Sequence, residues 1–596
     1  MSSARRAKGA GRTGGAVRSR ARPSSCCAGA WGVWVAEYSS SSVSRPFASA
    51  YLAGEAGARA FFAHDFRDPA ARVARTRAAA SRWVDPRLLA VLRAQQNHLP
   101  PSAARSANVE MLARGGTAVV ATGQQVGLFL GPLYSFYKAA SAVAVARALS
   151  AEAGVPCVPL FWLQTEDHDF AEIATATVAD RRGVATRLAL APESAAEARV
   201  SIAHRHLGAE VDGLVERLAD ALPPGVAADQ TLALLRAHYV GGRSLAAAFA
   251  GAMATLFADE GLLVFDPREA RVGALAAPIY REALRGAASI QRALWARRAA
   301  LAEAGFDEQI ALRDRCSLLF FHRGDACGPR YRLQKEGAEA DVEKGGDWSL
   351  AGGGETISQQ AIEATIDGDP LRLSTSALLR PIVQDKLWPT AAYVAGPGEL
   401  NYLAQLGPLY EHFSVAAPLA VPRARFRCLD ARTRRLLTQL RLTVGDVSRP
   451  ERELHAQLAR AVVETAGPNS DAGPDPATLR ARVSSEIAPM VDEIARLIAQ
   501  VRPELAPAAE RTRGTVAHAL GRLVDRYTRA VAERDGVVRE RLARVKAALV
   551  PDGVPQERAY SWPSMAARVG PSAFTGLVLS AVAENPFATE LRELHL

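Results

Sequence analysis

The chain has little cysteine and no long apolar run. Its 596 residues include six cysteines, which are Cys26, Cys27, Cys157, Cys316, Cys327 and Cys428. No CxxC pair occurs, so the spacing favours neither a disulfide framework nor a zinc site. No uncharged apolar run reaches the roughly 18 residues that a transmembrane helix needs. We therefore expect a cytoplasmic protein with no membrane contact and no dedicated metal site.

Acidic residues are missing from residues 1–36, which hold seven Lys or Arg. Subtracting these seven from the formal net charge of +10 leaves +3 for the rest of the chain, so the charge gives no reason to expect nucleic acid as a partner. Like charge combined with Gly, Ser and Ala is typical of a disordered tail, and we interpret residues 1–37 as such an extension or as the result of a start codon placed too far upstream. A targeting peptide is the alternative, because the segment is rich in Arg and contains Ser.

From about residue 115 the pattern alternates between strand and helix. Residues 117–122 form a short apolar run, a Gly-rich turn follows at 123–131, and a helical pattern leads to a second apolar run at 155–163. This order is a βαβ unit, which predicts a parallel sheet in an α/β fold. Further strands are predicted at 261–265, 316–321 and 390–395, and Ser374–Ser376 is interpreted as a helix N-cap cluster.

Strand signals end near Cys428. Long helical patterns at 478–500 and 506–548, separated by a turn near Pro503, predict an antiparallel coiled-coil hairpin. We therefore predict an α/β core over 38–427, a helical coiled-coil domain over 428–550, and a segment over 551–596 that packs on the core.

The Gly-rich turn is the first candidate site. It contains Gly123, Gly127 and Gly131, and the side chains of Gln124, Gln125, Tyr134 and Lys138 lie in or just after it. Such a turn at a helix N-terminus suits a phosphate or a carboxylate. The spacing matches neither GxGxxG nor the P-loop, so glycines that only permit close packing are an equal alternative.

The second candidate is the run Glu166, Asp167, His168 and Asp169, directly after the second strand of the βαβ unit. Ligands bind outside the carboxyl ends of parallel strands, so this run and the Gly-rich turn are expected to be neighbours. The four groups could act as acid and base or bind an amine, and a metal is the weaker option because no second histidine lies nearby. A purely structural histidine is the alternative.

Two later motifs complete the set. Arg380 and Gln384 would share one helix face beside Asp385, and Arg380 could hold a phosphate or carboxylate, or form a surface salt bridge. Gly396, Gly398 and Glu399 repeat the order of strand, Gly turn and helix, and there Glu399 could bind substrate or cap the helix.

These stretches, in this order, resemble the bacillithiol biosynthesis cysteine-adding family, BshC. The matching segments are TGQQVGLFLGPLYSFYK at 122–138, PLFWLQTEDHDFAEI at 159–173, LLRPIVQDKLWP at 378–389 and AYVAGPGELNYLAQLGPLYEHF at 392–413. The segment PDGVPQER at 551–558 is also similar. The resemblance covers residues 38–596 and implies a Rossmann-like core with inserted segments and a coiled-coil domain that forms a homodimer.

The resemblance also implies a reaction, in which a ligase adds L-cysteine to glucosaminyl-malate in the last step of bacillithiol synthesis. ATP with Mg²⁺ is expected to activate the cysteine carboxylate. Phosphate binding is expected at Gly123, Gly127, Gly131, Lys138, Gly396 and Gly398. Catalysis is expected at Glu166, Asp167, His168 and Asp169, where His168 would bind the amine or take its proton. Substrate binding is expected at Gln124, Gln125, Tyr134, Arg380, Gln384, Asp385 and Glu399.

Two other functions stay open at this point. One is a synthetase-like ligase or nucleotidyltransferase that acts on another amine. The other is a non-catalytic binding protein that recruits partners through its coiled coil.

Overall fold

The computed structural model describes residues 46–194, 197–335, 347–466 and 474–596. The predicted basic extension at 1–37 lies outside these residues. The strands, in chain order, are β1 (Ala118–Gln124), β2 (Cys157–Leu163), β3 (Thr175–Ala179), β4 (Ala185–Ala189), β5 (Leu263–Phe265), β6 (Cys316–His322), β7 (Arg330–Lys335), β8 (Trp348–Leu350), β9 (Thr356–Ile357), β10 (Leu373–Thr375), β11 (Thr390–Ala395), β12 (Leu419–Pro422), β13 (Arg425–Leu429) and β14 (Leu591–His595).

The central sheet has five parallel strands in the order β12-β11-β1-β2-β5. When these five strands are renumbered 1 to 5 along the chain, their order from the β5 edge is 3-2-1-4-5. This is the strand order of the Rossmann fold. The prediction of a Rossmann-like parallel core is therefore confirmed. The topological switch point lies between β1 and β11. Both strands are buried along almost their whole length, as expected of a parallel sheet that is covered on both faces.

Helices cover both faces of this sheet. Helix Leu133–Ala153 connects β1 to β2 and is largely buried, which explains its run of Ala, Val and Leu. The helices before β13 are Phe47–Leu52, Ala56–Arg59, Pro69–Ala80, Pro86–Asn97, Ala103–Arg114, Leu133–Ala153, Phe170–Ile173, Glu210–Ala221, Val226–His238, Leu245–Leu256, Ala270–Arg285, Ala287–Glu303, Gln359–Gly368, Arg380–Leu387, Pro397–Leu403 and Gly407–His412.

A second, antiparallel sheet has the order β10-β6-β7-β8-β9. The interpretation of Ser374–Ser376 as a helix N-cap cluster fits Ser376 alone, whose Oγ accepts from the Leu379 N–H at 3.4 Å, because Leu373–Thr375 forms β10 and pairs with Leu319–Phe321 of β6. The helix begins later, at Arg380. Pairing with a strand distant in the chain outweighed the local capping signal.

The C-terminal part is mainly helical, as predicted, but Leu591–His595 forms strand β14, which the sequence pattern did not predict. Its helices are Ala431–Leu440, Glu451–Ala466, Pro476–Arg482, Ala488–Val501, Ala506–Ala532, Gly536–Leu549, Gln556–Ala559, Pro563–Val569 and Pro571–Glu584. The prediction of one helix over 506–548 was wrong, because a break occurs after Ala532 and Asp535 caps a new helix through the Val537 N–H at 2.8 Å. A side-chain oxygen that accepts from a free N–H stabilises such a helix start.

The coiled-coil hairpin is antiparallel. Arg480 pairs with Asp525 at 2.5 Å, and Arg513 pairs with Asp492 at 3.3 Å, so later residues on one arm meet earlier residues on the other.

The chain returns to the core after residue 551. Strand β14 pairs with β13, and Phe574 stacks on Phe136 with ring centroids 5.4 Å apart. Among the described residues, no single helix is long and apolar enough to cross a membrane, although Pro563–Val569 and Pro571–Glu584, bent by 104°, would pass that test as a pair.

Candidate active site

The candidate site lies at the carboxyl edge of the central sheet, where β1 and β11 diverge. Ligands of open α/β sheets bind in the crevice that forms at such a switch point. Strand β1 ends at Gln124, β2 leads into the acidic run, and β11 leads to Gly396. The topology therefore brings three of the four predicted motifs together at one edge, as their positions after strands suggested.

Lys138 ties the ends of β1 and β11 to each other. Its ammonium donates to the Gly123 carbonyl at 2.7 Å and to Gln124 Oε1 at 2.8 Å, and it pairs with the carboxylate of Glu399. Burial lowers the pKa of Lys138 to about 8, although Glu399 opposes this shift. All three N–H donors of the ammonium thus have an acceptor within the protein. A phosphate contact at Lys138 would have to break one of these bonds.

Glu399 serves the fold at this point in two ways. It accepts from the Gly396 N–H at 2.9 Å, which is the capping role held open above, and from the Tyr393 hydroxyl at 2.8 Å. Burial would raise the pKa of Glu399, but Lys138 outweighs it and the pKa is lowered. Gly398 lies within the helix that Gly396 caps.

Arg380 is also engaged inside the protein. Its guanidinium donates to the Tyr402 hydroxyl at 2.9 Å, to the Tyr393 hydroxyl at 3.3 Å and to Gln384 Oε1 at 3.3 Å. The predicted helix does continue past Pro381, so Arg380 and Gln384 share a face. The side chain is 7% exposed, and it therefore positions the end of β11 more readily than it reaches a solvent-borne ligand.

Asp385, which is predicted to bind substrate, lies away from the crevice. Its carboxylate accepts from the Tyr410 hydroxyl at 2.7 Å, and its backbone carbonyl accepts from Arg82 at 2.8 Å. Arg75, whose charge acts on Asp385, donates to the carbonyl of Thr390, the first residue of β11. Asp385 therefore lies beside the amino end of that strand, opposite the crevice, because its helix runs back along the sheet.

The Gly-rich turn is closed by the protein itself. The Gly127 N–H donates to the Gln125 carbonyl at 3.1 Å and the Gly131 N–H to the Leu128 carbonyl at 2.9 Å. A Cβ on Gly127 would lie 2.7 Å from the Gly131 Cα, so close packing requires this glycine. The Leu133 N–H, at the start of the long helix, donates to the Tyr560 carbonyl at 2.9 Å. These contacts favour the alternative in which the glycines only permit close packing.

Gln125 bridges two carboxyl groups on the β2 side of the crevice. Its amide nitrogen donates to Glu172 Oε2 at 2.8 Å and to Asp167 Oδ2 at 3.2 Å. Burial, reinforced by Asp167 and Asp169, raises the pKa of Glu172 to about 8, against lowering by Arg558 and Lys138. Glu172 therefore holds a proton that it can exchange near neutral pH, which is the property of a general acid or base.

His168 lies next to this pair and faces an arginine. The Arg330 guanidinium donates to His168 Nδ1 at 3.1 Å and lies 3.6 Å from Asp167 Oδ1. Burial and the charge of Arg330 lower the pKa of His168 to about 4. The imidazole is then neutral at physiological pH with its proton on Nε2, because Nδ1 accepts a hydrogen bond. In this state His168 is a hydrogen-bond donor at Nε2 and a weak base.

The remaining members of the acidic run support the backbone. Glu166 accepts hydrogen bonds from the backbone N–H and the hydroxyl of Thr375 in β10, and so joins the two sheets. Asp169 caps the short helix Phe170–Ile173 by accepting from the Glu172 N–H at 3.2 Å. Among the described residues, no group of three or more His, Cys, Asp or Glu is arranged to hold a metal ion.

Tyr134 lies in the crevice under two arginines. The Cζ atoms of Arg423 and Arg558 lie 5.7 and 5.6 Å from its ring centroid. Burial raises the pKa of its hydroxyl, with Glu172 adding to the effect. Within the described part of the chain, that hydroxyl makes no hydrogen bond, so it can serve a ligand.

Sequence reasoning missed Glu172, Arg330, Arg423 and Arg558. Glu172 had a local signal, because it stands three residues after the capping Asp169. Arg423 follows β12 directly, but the short run 419–422 was not recognised as a strand. Arg330 and Arg558 come from distant segments, and only the fold brings them to this edge.

Comparison with known families agrees with this architecture. Residues 35–424 match the N-terminal Rossmann-like domain of bacillithiol biosynthesis BshC, and residues 426–581 match its C-terminal coiled-coil domain.

Similar full-length proteins carry the provisional name cysteine ligase BshC. One from Salinibacter ruber is 31% identical over 500 residues, which is 84% of this chain and 87% of the relative. One from Koribacter versatilis is 33% identical over 472 residues, 79% of this chain and 83% of the relative. One from Solibacter usitatus is 30% identical over 477 residues, 80% and 83% of the two chains. The chain therefore belongs to the BshC family of bacillithiol biosynthesis proteins.

Proposed function

We propose that this chain is a ligase that joins the carboxyl group of L-cysteine to the amine of glucosaminyl-malate, with ATP as the activating substrate. Family membership supports the ligase class and the thiol pathway. The observation that carries the proposal is the switch-point crevice, where the carboxyl group of Glu172, with a pKa near neutrality, stands beside the Tyr134 hydroxyl, which has no hydrogen-bond partner among the described residues.

The chemistry explains which groups are needed. A free carboxylate does not acylate an amine in water, so ATP would convert one carboxylate oxygen into a phosphorylated leaving group. The amine nitrogen then forms the C–N bond as the bond from carbon to that leaving group breaks. Proton removal from the amine is required, and a base with a pKa near that of the amine performs it best.

We assign this proton to Glu172. Its carboxyl group and that of Asp167 share one donor, Gln125, so their oxygens lie close together at the crevice. Two such oxygens can accept hydrogen bonds from one ammonium group. His168, neutral and paired with Arg330, then contributes a hydrogen bond to substrate rather than taking the proton.

The Lys138–Glu399 pair and Arg380 have positioning roles in this proposal. They hold the ends of β1 and β11 apart at a set distance and so define the crevice. Mg²⁺ would arrive with ATP, because that ion is commonly held by phosphates and one or two carboxylates.

The direct test uses the purified full-length protein. L-cysteine, glucosaminyl-malate and ATP are mixed with the enzyme, and the thiol product is measured by mass spectrometry after fluorescent labelling. We expect product that depends on all three substrates and is lost with Glu172→Gln. Product from a different amine, with none from glucosaminyl-malate, would replace the substrate in this proposal and keep the ligase class.

We also propose a homodimer through the coiled coil. Helix Ala488–Val501 exposes apolar side chains at alternating spacings of four and three, which are Met490, Ile494, Leu497 and Val501 with exposures of 58%, 52%, 48% and 80%. A stripe of this period fits the seam of a second helix of the same kind. Ile494→Glu should convert the protein to a monomer in light scattering, whereas Val226→Glu, at an exposed apolar site in the core domain, should not.

A reducing cytoplasm is the proposed location. The four described cysteines, Cys157, Cys316, Cys327 and Cys428, are free thiols, which suits that compartment.

A further inference from the structure

The C-terminal segment is clamped to the carboxyl edge of the sheet. Arg423, at the end of β12, donates two hydrogen bonds of 2.7 Å to the carboxylate of Glu557, and both side chains are buried. The Gln556 side chain accepts from the Cys428 N–H at 2.7 Å and donates to the Cys428 carbonyl at 3.0 Å. The short helix Gln556–Ala559 is therefore held rigidly beside the crevice.

The same segment occupies the backbone groups of the Gly-rich turn. The Leu133 N–H donates to the Tyr560 carbonyl, and the Trp562 N–H donates to the Gly131 carbonyl at 3.3 Å. The first amide that this helix N-terminus would otherwise offer to an anion, that of Leu133, is thus used by the protein. A positively charged side chain at the crevice would therefore strengthen the binding of a substrate anion.

The position of Arg558 suits it to supply this positive charge. It follows the clamped Glu557, and its guanidinium lies over the Tyr134 ring, with Cζ 5.6 Å from the centroid. Contact with an aromatic face restricts the guanidinium plane without using its N–H donors. Among the described residues, the Arg558 guanidinium has neither a hydrogen-bond nor an ion-pair partner, whereas the neighbouring Arg423 is neutralised by Glu557.

We propose that Arg558 binds an anionic oxygen group of a substrate, either a carboxylate or a phosphate, at the mouth of the crevice. This proposal rests on the proposed ligase function and deepens it. The planar fork of a guanidinium matches both groups in a bidentate manner. Glu172, whose pKa is about 8, is mostly protonated at neutral pH and leaves the positive charge uncompensated.

The test compares four full-length proteins: wild type, Arg558→Gln, Arg558→Lys and Arg539→Gln. Arg539 is exposed on helix Gly536–Leu549 and serves as the matched control for loss of one arginine. KM is measured for each substrate in turn, and calorimetry measures binding of L-cysteine, cysteamine and ATP. Cysteamine is L-cysteine without the carboxylate.

We expect Arg558→Gln to raise one KM by about 10- to 100-fold, which is the loss typical of a charge-assisted hydrogen bond. Arg558→Lys should retain part of the affinity, because it keeps the charge and loses the fork. Arg539→Gln should match wild type. A carboxylate ligand predicts weaker binding of L-cysteine to Arg558→Gln and weak binding of cysteamine to every variant, and a phosphate ligand predicts weaker binding of ATP alone.

The proposal is overturned if Arg558→Gln binds every probe as wild type does. It is also overturned if only kcat falls, since that result describes a positioning residue. The ligase function can fail separately: anion binding that depends on Arg558 without product formation would retain this site and remove the reaction. Product formation with unchanged KM values in Arg558→Gln would retain the ligase reaction and remove the anion site at Arg558. The cysteamine comparison on wild type does not depend on any variant folding.

Discussion

The two sides of the crevice differ in how their charged groups are used. On the β1–β11 side, Lys138, Glu399 and Arg380 are buried and bonded to one another or to tyrosines and backbone. On the β2 side, Glu172 has a pKa raised to about 8, and beside Tyr134 the guanidinium of Arg558 has donors without a partner among the described residues. Charged groups whose hydrogen-bonding capacity is used within the protein form the framework of the site. Charged groups that keep free donors or an exchangeable proton are available for chemistry. Lys138, Glu399 and Arg380 lie in motifs that are recognisable in the sequence. Of the other two residues, Glu172 has a local sequence signal and Arg558 has none.

The largest effect is expected on the β2 side, at Glu172. Glu172→Gln should lower kcat/KM by about 10²- to 10⁴-fold, the range for loss of a general base. In wild type, kcat/KM should rise with pH through about 8, where Glu172 loses its proton. Glu172→Asp should keep this limb in the pH profile, and a limb that persists in Glu172→Gln would assign it to another group.

Glu172 also makes the folding free energy of the chain depend on pH. Its pKa is raised from 4.5 to about 8 in the folded chain, so its contribution to stability is complete below pH 4.5 and is lost as the pH rises through 8. Urea unfolding of wild type should therefore show stability that falls over this window relative to Glu172→Gln. Parallel curves for the two proteins would contradict the raised pKa.

The next effect tests the β1–β11 side. Lys138→Met leaves Glu399 buried without its cation, and breaking a buried ion pair in this way typically costs about 3–5 kcal/mol of folding free energy. The double variant Lys138→Met with Glu399→Gln should lose less than the sum of the two single changes, because no charge is stranded. Denaturant unfolding measures all three. A stable Lys138→Met protein with a raised KM for ATP would instead return Lys138 to phosphate binding.

A smaller effect is expected at the opposite edge of the sheet. Asp385→Asn weakens the hydrogen bond from Tyr410, and a loss of about 1–2 kcal/mol in stability is reasonable for one buried hydrogen bond. All KM values should stay within about twofold of wild type, since the proposed substrate site lies at the other end of β11. A KM change above tenfold in Asp385→Asn would show that Asp385 does contribute to substrate binding.

The smallest effect is expected for pH dependence at His168. With a pKa of about 4, the imidazole stays neutral from pH 5.5 to 7.5, so no limb near 6.5 should appear in the activity profile. ¹H–¹³C spectra of the ring should show no titration in this range. Arg330→Gln removes the positive charge and should raise this pKa toward 6.5, which gives the control for the assignment.

The outcome of each sequence motif has a physical reason. Gly turns after β1 and β11 were located correctly because glycine and proline mark local backbone geometry. Their phosphate role was harder to predict, since whether an amide is free depends on segments distant in the chain, such as Tyr560. Arg380 and Gln384 share a face as their spacing indicated, yet spacing alone could not tell an exposed arginine from one buried among tyrosines.

The sequence by itself determined the alternation of strands and helices, the parallel sheet, the change to helices after Cys428 and the family. These properties follow from short-range patterns of apolar and turn-forming residues. Only the tertiary structure decided which charges are neutralised. It paired Lys138 with Glu399, brought Arg330 to His168, and carried Arg558 to Tyr134. Reactivity depends on burial and on partners from distant segments, and neither is encoded in local sequence.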